Sequence, residues 1–130
     1  MTRAIALIAH DAKKPDMVAF AKFHRVSLVD RKLLATESTG RLLERRVGLR
    51  IERMLSGVEG GDVQIAARVV QGEVEAVIFL VDPFDRHAHE PDIQSVQRVC
   101  QVHDVPLATN LATAHMVLAA LDYYGEEAAS

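Results

Sequence analysis

The sequence predicts a single doubly wound α/β domain of the Rossmann or flavodoxin type, carrying a five-stranded, mostly parallel sheet. Three observations point there. Short β-rich runs alternate along the chain with segments whose apolar residues recur at helical spacing. Two of those runs, AIALIA and AVIFLV, are apolar at every position, as a strand is when helices cover both faces of its sheet. The connections are short, so right-handed crossovers lay successive strands parallel.

Taken in order, the first strand is expected at Arg3–Ala9. Its apolar stretch of six residues before His10 is too short for a secretory leader or a membrane span. A helix follows, with Met17, Phe20, Ala21 and His24 on one face. The second strand is Leu33–Ala35, after which Thr36-Glu37-Ser38-Thr39-Gly40 opens a helix. The third is Ile51–Leu55, followed by Ser56-Gly57 and by Gly60-Gly61-Asp62, which opens a helix with apolar positions Ile65, Ala66, Val69 and Val70. The fourth is Ala76–Val81, followed by Asp82-Pro83 and then His87, His89 and Asp92. Ile93, Val96, Cys100 and His103 mark the next helical face, Pro106–Ala108 the fifth strand, and Leu111, Ala114, Leu118 and Leu121 the last helix. No linker, repeat or low-complexity tract interrupts this alternation, so residues 1–130 read as one domain.

Composition removes several function classes. A net charge of -3 argues against a nucleic-acid footprint, which needs a basic face. One cysteine, Cys100, permits no disulfide framework and fits a reducing, cytoplasmic setting. The absence of tryptophan and the few aromatics weaken the case for a protein-recognition surface of the usual aromatic kind.

In an open α/β sheet, ligands bind beyond the carboxyl ends of the strands, at the point where strand order reverses. Individually, the residues found there have structural readings: Ser38, Thr39 or Asp62 as N-caps, Asp82-Pro83 as a turn, Lys13 and Lys14 as a solvated face. His24, His103 and His115 sit mid-helix without a polar partner nearby in sequence and are assigned no role. What favours a site is convergence at one rim. Thr36, Ser38, Thr39, Ser56 and Gly57 are small donors near helix N-termini, where free N–H groups and the helix dipole favour an anion. A lysine on the first loop adds positive charge. There is no GxxxxGK[ST] loop and no glycine fingerprint after the first strand, so this is a phosphate site of neither the Walker nor the dinucleotide kind. Imidazoles and carboxylates beside it supply general acid–base groups. His87-x-His89-x-x-Asp92 has ligand-like spacing, but it lies on one loop without a convincing further ligand, so no metal site is expected. A phosphate-accepting receiver domain is also excluded: strand one ends in His10-Asp11 rather than paired acids, and strand five in Thr109-Asn110 rather than a lysine.

The segments AHDAKK, ATESTG, LSGVEGGDVQIAARV, LVDPFDRHAHEPD and PLATNLATA, in that order, resemble the methylglyoxal synthase family from about residue 4 to about residue 115. The resemblance implies a methylglyoxal synthase-like fold and conversion of dihydroxyacetone phosphate (glycerone phosphate) to methylglyoxal and inorganic phosphate. It implies no metal and no organic cofactor, a homohexamer, and neither nucleic acid nor membrane as partner. Carried over by motif position, Asp62 is the general base and Asp92 a second acid–base group, while His10 and His89 face the substrate oxygens. Lys14, Thr36, Glu37 (through its N–H), Ser38, Thr39, Ser56 and Gly57 hold the phosphate, and Asp11 and Asp82 are supporting carboxylates. The same fold also serves as a ligand-sensing domain in carbamoyl-phosphate synthetase, which gives a non-catalytic phosphometabolite sensor as the alternative; a sensor needs the cradle but not the base.

The chain departs from the family pattern at two places. The hydroxyl loop commonly has glycine where Glu37 stands, and its carboxylate is expected to turn to solvent. Longer relatives continue past the last helix and supply an arginine near the substrate, for which the segment from Asp122 onward offers no counterpart.

Overall fold

Strand β1 (Ala4–Ala9) lies at the centre of a five-stranded sheet whose other members are β2 (Leu33–Ala35), β3 (Glu52–Arg53), β4 (Val74–Leu80) and β5 (Leu107–Ala108). The order is β3-β2-β1-β4-β5, and every pairing is parallel. The computed structural model describes residues 2–84 and 91–129, with side chains through residue 125. Around the sheet run α1 (Lys14–Phe23), α2 (Arg25–Leu28), α3 (Glu37–Val47), α4 (Gly61–Val70), α5 (Ile93–Val102) and α6 (Leu111–Ala129), with a 3₁₀ turn at Asp11–Lys13.

The apolar run of β1 becomes a buried strand because its alternate residues serve two cores. Ile5, Leu7 and Ala9 face one way, into a cluster with Met17, Phe20 and Leu28 of α1 and α2, Leu43 of α3, and Ala114 and Leu118 of α6. Ala4, Ala6 and Ile8 face the other, joining Ile65 and Val69 of α4 and Val96 and Cys100 of α5. Each fully buried Leu, Ile or Phe contributes about 1.5–3 kcal/mol by leaving water, so both helical layers are held to the sheet by their apolar stripes.

The expected strands appear in order, with shifted ends. β4 begins at Val74 because Val74 already pairs with Ala4. β3 shrinks to Glu52–Arg53, both exposed: it is an edge strand with a neighbour on one side only, and a short charged edge resists further pairing. Val70, expected on the core face of α4, is 50% exposed on the helix's last position. His103 ends α5 as its exposed C-cap. α6 continues beyond Leu121 to Ala129, so the acidic end of the chain is helical.

Two histidines expected to lack polar partners have each other. His24 Nε2 and His115 Nδ1 lie 2.7 Å apart, bracketed by the Phe20 and Phe23 rings. Burial and the neighbouring His115 hold the His24 imidazole below its usual pKa, against a smaller opposite pull from Asp122. Asp122 also takes a hydrogen bond from Ser27 Oγ at 2.7 Å and pairs with Arg31, which reaches Glu75 beside it.

Candidate active site

Strand order reverses between β1 and β4. The chain leaves β1 toward β2 on one side, and β4 arrives on the other, so the loops after these strands diverge and leave a crevice. His10 follows β1 directly, still held in the ladder by its N–H on the Leu80 carbonyl at 3.1 Å. Its ring is buried and sits edge-on to Phe79, with centroids 5.3 Å apart. Nδ1 accepts from the Asp82 N–H at 2.9 Å, so this nitrogen carries no proton; Nε2–H then donates to the Pro91 carbonyl, also at 2.9 Å. These contacts assign a neutral imidazole with its proton on Nε2.

The second convergence is at the start of α4. Gly61 donates its N–H to the Ser56 carbonyl at 2.8 Å, and a Cβ there would lie 1.8 Å from the Leu55 carbonyl oxygen. Only glycine lets the helix begin this close to the end of β3. The N-cap is therefore Gly60, at φ 97°, rather than Asp62, which falls in the first turn. Asp62 is 5% exposed, and its Oδ2 accepts the Asp92 N–H at 2.9 Å. Its Oδ1 accepts no hydrogen bond among the described residues. Gly57 packs against the ring of Pro91, 2.9 Å from where its Cβ would stand, which draws the loop after β3 onto the segment entering α5. Asp92 itself is the exposed N-cap of α5, its Oδ1 accepting from the Gln94 N–H at 3.0 Å.

The third part is the opening of α3. Thr36, not Ser38 or Thr39, is the N-cap; its backbone is extended and its side chain makes no capping bond. Thr36 and Thr39 are both buried, and Thr39 Oγ1 has no hydrogen-bond partner among the described residues. A hydroxyl orphaned in this way costs about 1–3 kcal/mol, which a ligand oxygen at the helix start would recover. Ser38 is exposed. Ser56 Oγ reaches Glu59 at 3.3 Å. Glu37 turns along the helix to Arg41, Oε1 to Nη2 2.5 Å, and its N–H donates to the Leu55 carbonyl at 3.3 Å, so an anion using that N–H must take it from Leu55. A cleft of about 350 Å³ lined by Glu37, Ser38, Arg41, Arg45 and Ser56 adjoins this turn. Lys14, at the start of α1, is ion-paired with Asp11.

Hydrogen bonds and packing thus bring His10, Asp82, Gly57, Asp62 and Asp92 into one connected rim, with Glu37 tied to it through Leu55. His89, and with it His87 of the ligand-like spacing, lies outside the described residues. A separate cleft of about 670 Å³ between the ends of β4 and β5, lined by Lys13, Val81, Pro83, Thr109 and Asn110 among others, holds none of the expected site residues. Among the described residues, no helix is long and apolar enough to cross a membrane and no group of His, Cys, Asp or Glu is arranged to hold a metal. Two residues of the site went unforeseen. Pro91 acts through its carbonyl, which no side-chain motif reveals. Arg41 was readable in principle, four residues after Glu37 on the same helix face.

A buried carboxylate with one oxygen unbonded among the described residues, a backbone-fixed imidazole and small donors at a helix start, all beyond the carboxyl ends of a parallel sheet, define a small-molecule-binding α/β protein with acid–base groups at its rim. The comparisons name the family. Residues 16–109 match the family model described as the MGS-like domain. The chain is 56% identical over 119 residues to a methylglyoxal synthase of Ralstonia nicotianae, covering 92% of this chain and 88% of that one. It is 55% identical over 117 residues to a methylglyoxal synthase of Thermus thermophilus, covering 90% and 93%. The fold matches the crystal structure of methylglyoxal synthase from Elizabethkingia anophelis NUHP1 with a TM-score of 0.86 and 38% identity, over 90% of this chain and 77% of that one. The chain belongs to the methylglyoxal synthase family.

Proposed function

We propose that this chain is a lyase that converts dihydroxyacetone phosphate to methylglyoxal and inorganic phosphate, with Asp62 as the general base. One observation carries the reading: Asp62 is a buried carboxylate whose Oδ2 is fixed by the Asp92 N–H. Among the described residues its Oδ1 accepts no hydrogen bond, and the Thr39 hydroxyl at the start of α3 has no partner.

In this mechanism the phosphate sits on Thr36, Ser38, Thr39, Ser56 and Gly57, with Lys14 supplying a full charge. Asp62 Oδ1 takes a proton from the hydroxymethyl carbon, and the electron pair left behind delocalises onto the adjacent carbonyl oxygen. His10 Nε2–H, and His89, donate to that oxygen; the substrate takes over the bond that the Pro91 carbonyl holds. A neutral imidazole suits this role, as it stabilises the enediolate without first surrendering a proton. Asp62 returns its proton to the enediolate oxygen, and the hydroxyl on the neighbouring carbon passes its own proton to Asp92. That hydroxyl oxygen closes to an aldehyde, the double bond moves to the phosphate-bearing carbon, and the carbon–oxygen bond to phosphate breaks. Phosphate leaves, and the resulting enol tautomerises to the ketoaldehyde. Elimination requires the breaking bond to stand perpendicular to the enediolate plane, so the hydroxyl turn sets conformation as well as affinity. Asp92, its carboxylate on the Gln94 N–H, serves as the second acid–base group, while Asp11 and Asp82 support Lys14 and His10.

Assembly as a homohexamer in the cytoplasm completes the proposal and is checked by sedimentation of the purified protein. The chemical test is incubation with dihydroxyacetone phosphate in EDTA, following phosphate and a trapped dicarbonyl together. Equal release of both supports the lyase. Binding of phosphate without either product favours a sensor.

A further inference from the structure

We propose that Arg41 is a positioning residue for phosphate recognition: it restrains Glu37, which would otherwise compete with the ligand for the start of α3. The inference rests on the phosphate site proposed above.

Glu37 is the first residue of α3, and a carboxylate there is a natural guest of the helix's own free N–H groups. Helical side chains lean toward the N-terminus, so an unrestrained Glu37 reaches back over the turn that carries Thr36, Ser38 and Thr39. The turn has capacity to spare. Thr36 makes no side-chain cap, and Thr39 Oγ1 is buried without a partner among the described residues. An internal carboxylate at this place is a tethered competitor for a phosphate dianion and repels it as well.

The structure shows the carboxylate held elsewhere. Arg41, one turn along, takes Glu37 Oε1 on Nη2 and draws it toward the C-terminal direction of the helix, into the cleft that also contains Arg45. The pair is neutral as a unit, and both side chains are partly exposed, 56% and 39%. Such an exposed pair is weak and salt-sensitive, so the restraint is a shift of population rather than a lock.

The experiment compares wild type, E37A, R41A and E37A/R41A by phosphate titration calorimetry and by initial-rate kinetics with dihydroxyacetone phosphate. R41A is expected to weaken phosphate binding and raise KM about two- to threefold, with kcat unchanged. E37A, which keeps the main-chain N–H and loses only the competing carboxylate, should bind phosphate more tightly than wild type, and the double variant should recover what R41A loses. Equal weakening in R41A and E37A/R41A would overturn the proposal, because Arg41 would then be serving the ligand or the fold directly. No change in R41A also overturns it. If wild type binds phosphate but yields no methylglyoxal, the proposed lyase reading fails, and the calorimetric cycle still decides the role of Arg41.

Discussion

Asp92 holds Asp62 with its backbone and caps α5 with its side chain: its N–H meets Asp62 Oδ2 at 2.9 Å while its own Oδ1 accepts from Gln94 at 3.0 Å. One residue thereby orients the carboxylate and fixes the entry of the helix beside it, and among the described residues the other Asp62 oxygen accepts no hydrogen bond.

Replacing that carboxylate by an amide separates the two jobs. In Asp62→Asn the side-chain oxygen still accepts the Asp92 N–H, so the fold and phosphate affinity should hold within about twofold. The base is gone, and turnover of dihydroxyacetone phosphate should fall by about 10²–10⁴-fold or more. Phosphate titration and product release, measured on one preparation, check both halves; retained turnover removes Asp62 from the mechanism.

Gly61→Ala sets a methyl group 1.8 Å from the Leu55 carbonyl oxygen, a main-chain atom with nowhere to go. The start of α4 must shift, and with it the Gly61–Ser56 hydrogen bond and the placement of Asp62. A loss of about 3 kcal/mol or more is expected in urea unfolding. Gly72→Ala, where a Cβ meets nothing within 4 Å but φ is 79°, should cost only about 1–2 kcal/mol through backbone strain.

The His24–His115 pair makes stability depend on acid. His24 is held below its ordinary value of 6.5, chiefly by burial and then by His115. The unfolded chain therefore binds a proton at higher pH than the folded one, and stability declines as pH drops below 6.5 until the folded pKa is reached. His24→Gln should flatten this stretch of the stability profile between pH 7 and 5, as read by thermal melts in low-salt buffers.

Cys100, buried between α5 and the sheet, has its thiol pushed up to about 11 by burial. At pH 8 only about one molecule in a thousand carries the thiolate, and the side chain is shielded as well. Alkylation by iodoacetamide should be slow in the native protein and at least about a hundredfold faster in urea. Fast native labelling would mean that α5 opens readily.

Much of the fold was legible because two-sided burial leaves a plain mark: AIALIA has no polar residue, and both of its faces meet helices. Strand β3 was legible in place but not in length, since pairing on one side alone decides where an edge frays. The rim was legible as residue types following each strand. Its connections were not. The His10 tautomer depends on the Asp82 N–H and the Pro91 carbonyl, and backbone groups leave no signature in side-chain spacing. The N-cap at Gly60 displaced the expected one at Asp62 because Gly60 adopts positive φ, a backbone choice that a run of two glycines permits at either position.

The central place of β1 also has a consequence during synthesis. The ladder that flanks it needs β4, and the His10–Asp82 contact closes a separation of 72 residues. At a ribosomal pace of about 5–20 residues per second, the nascent AIALIA segment waits roughly 4–14 s for its partner. Throughout that interval it is an uncharged, strand-forming stretch without its fourth-strand neighbour, the kind of segment that pairs with other chains. Yield from the translating cell should therefore respond to chaperone supply and growth temperature more strongly than the stability of the finished protein would suggest.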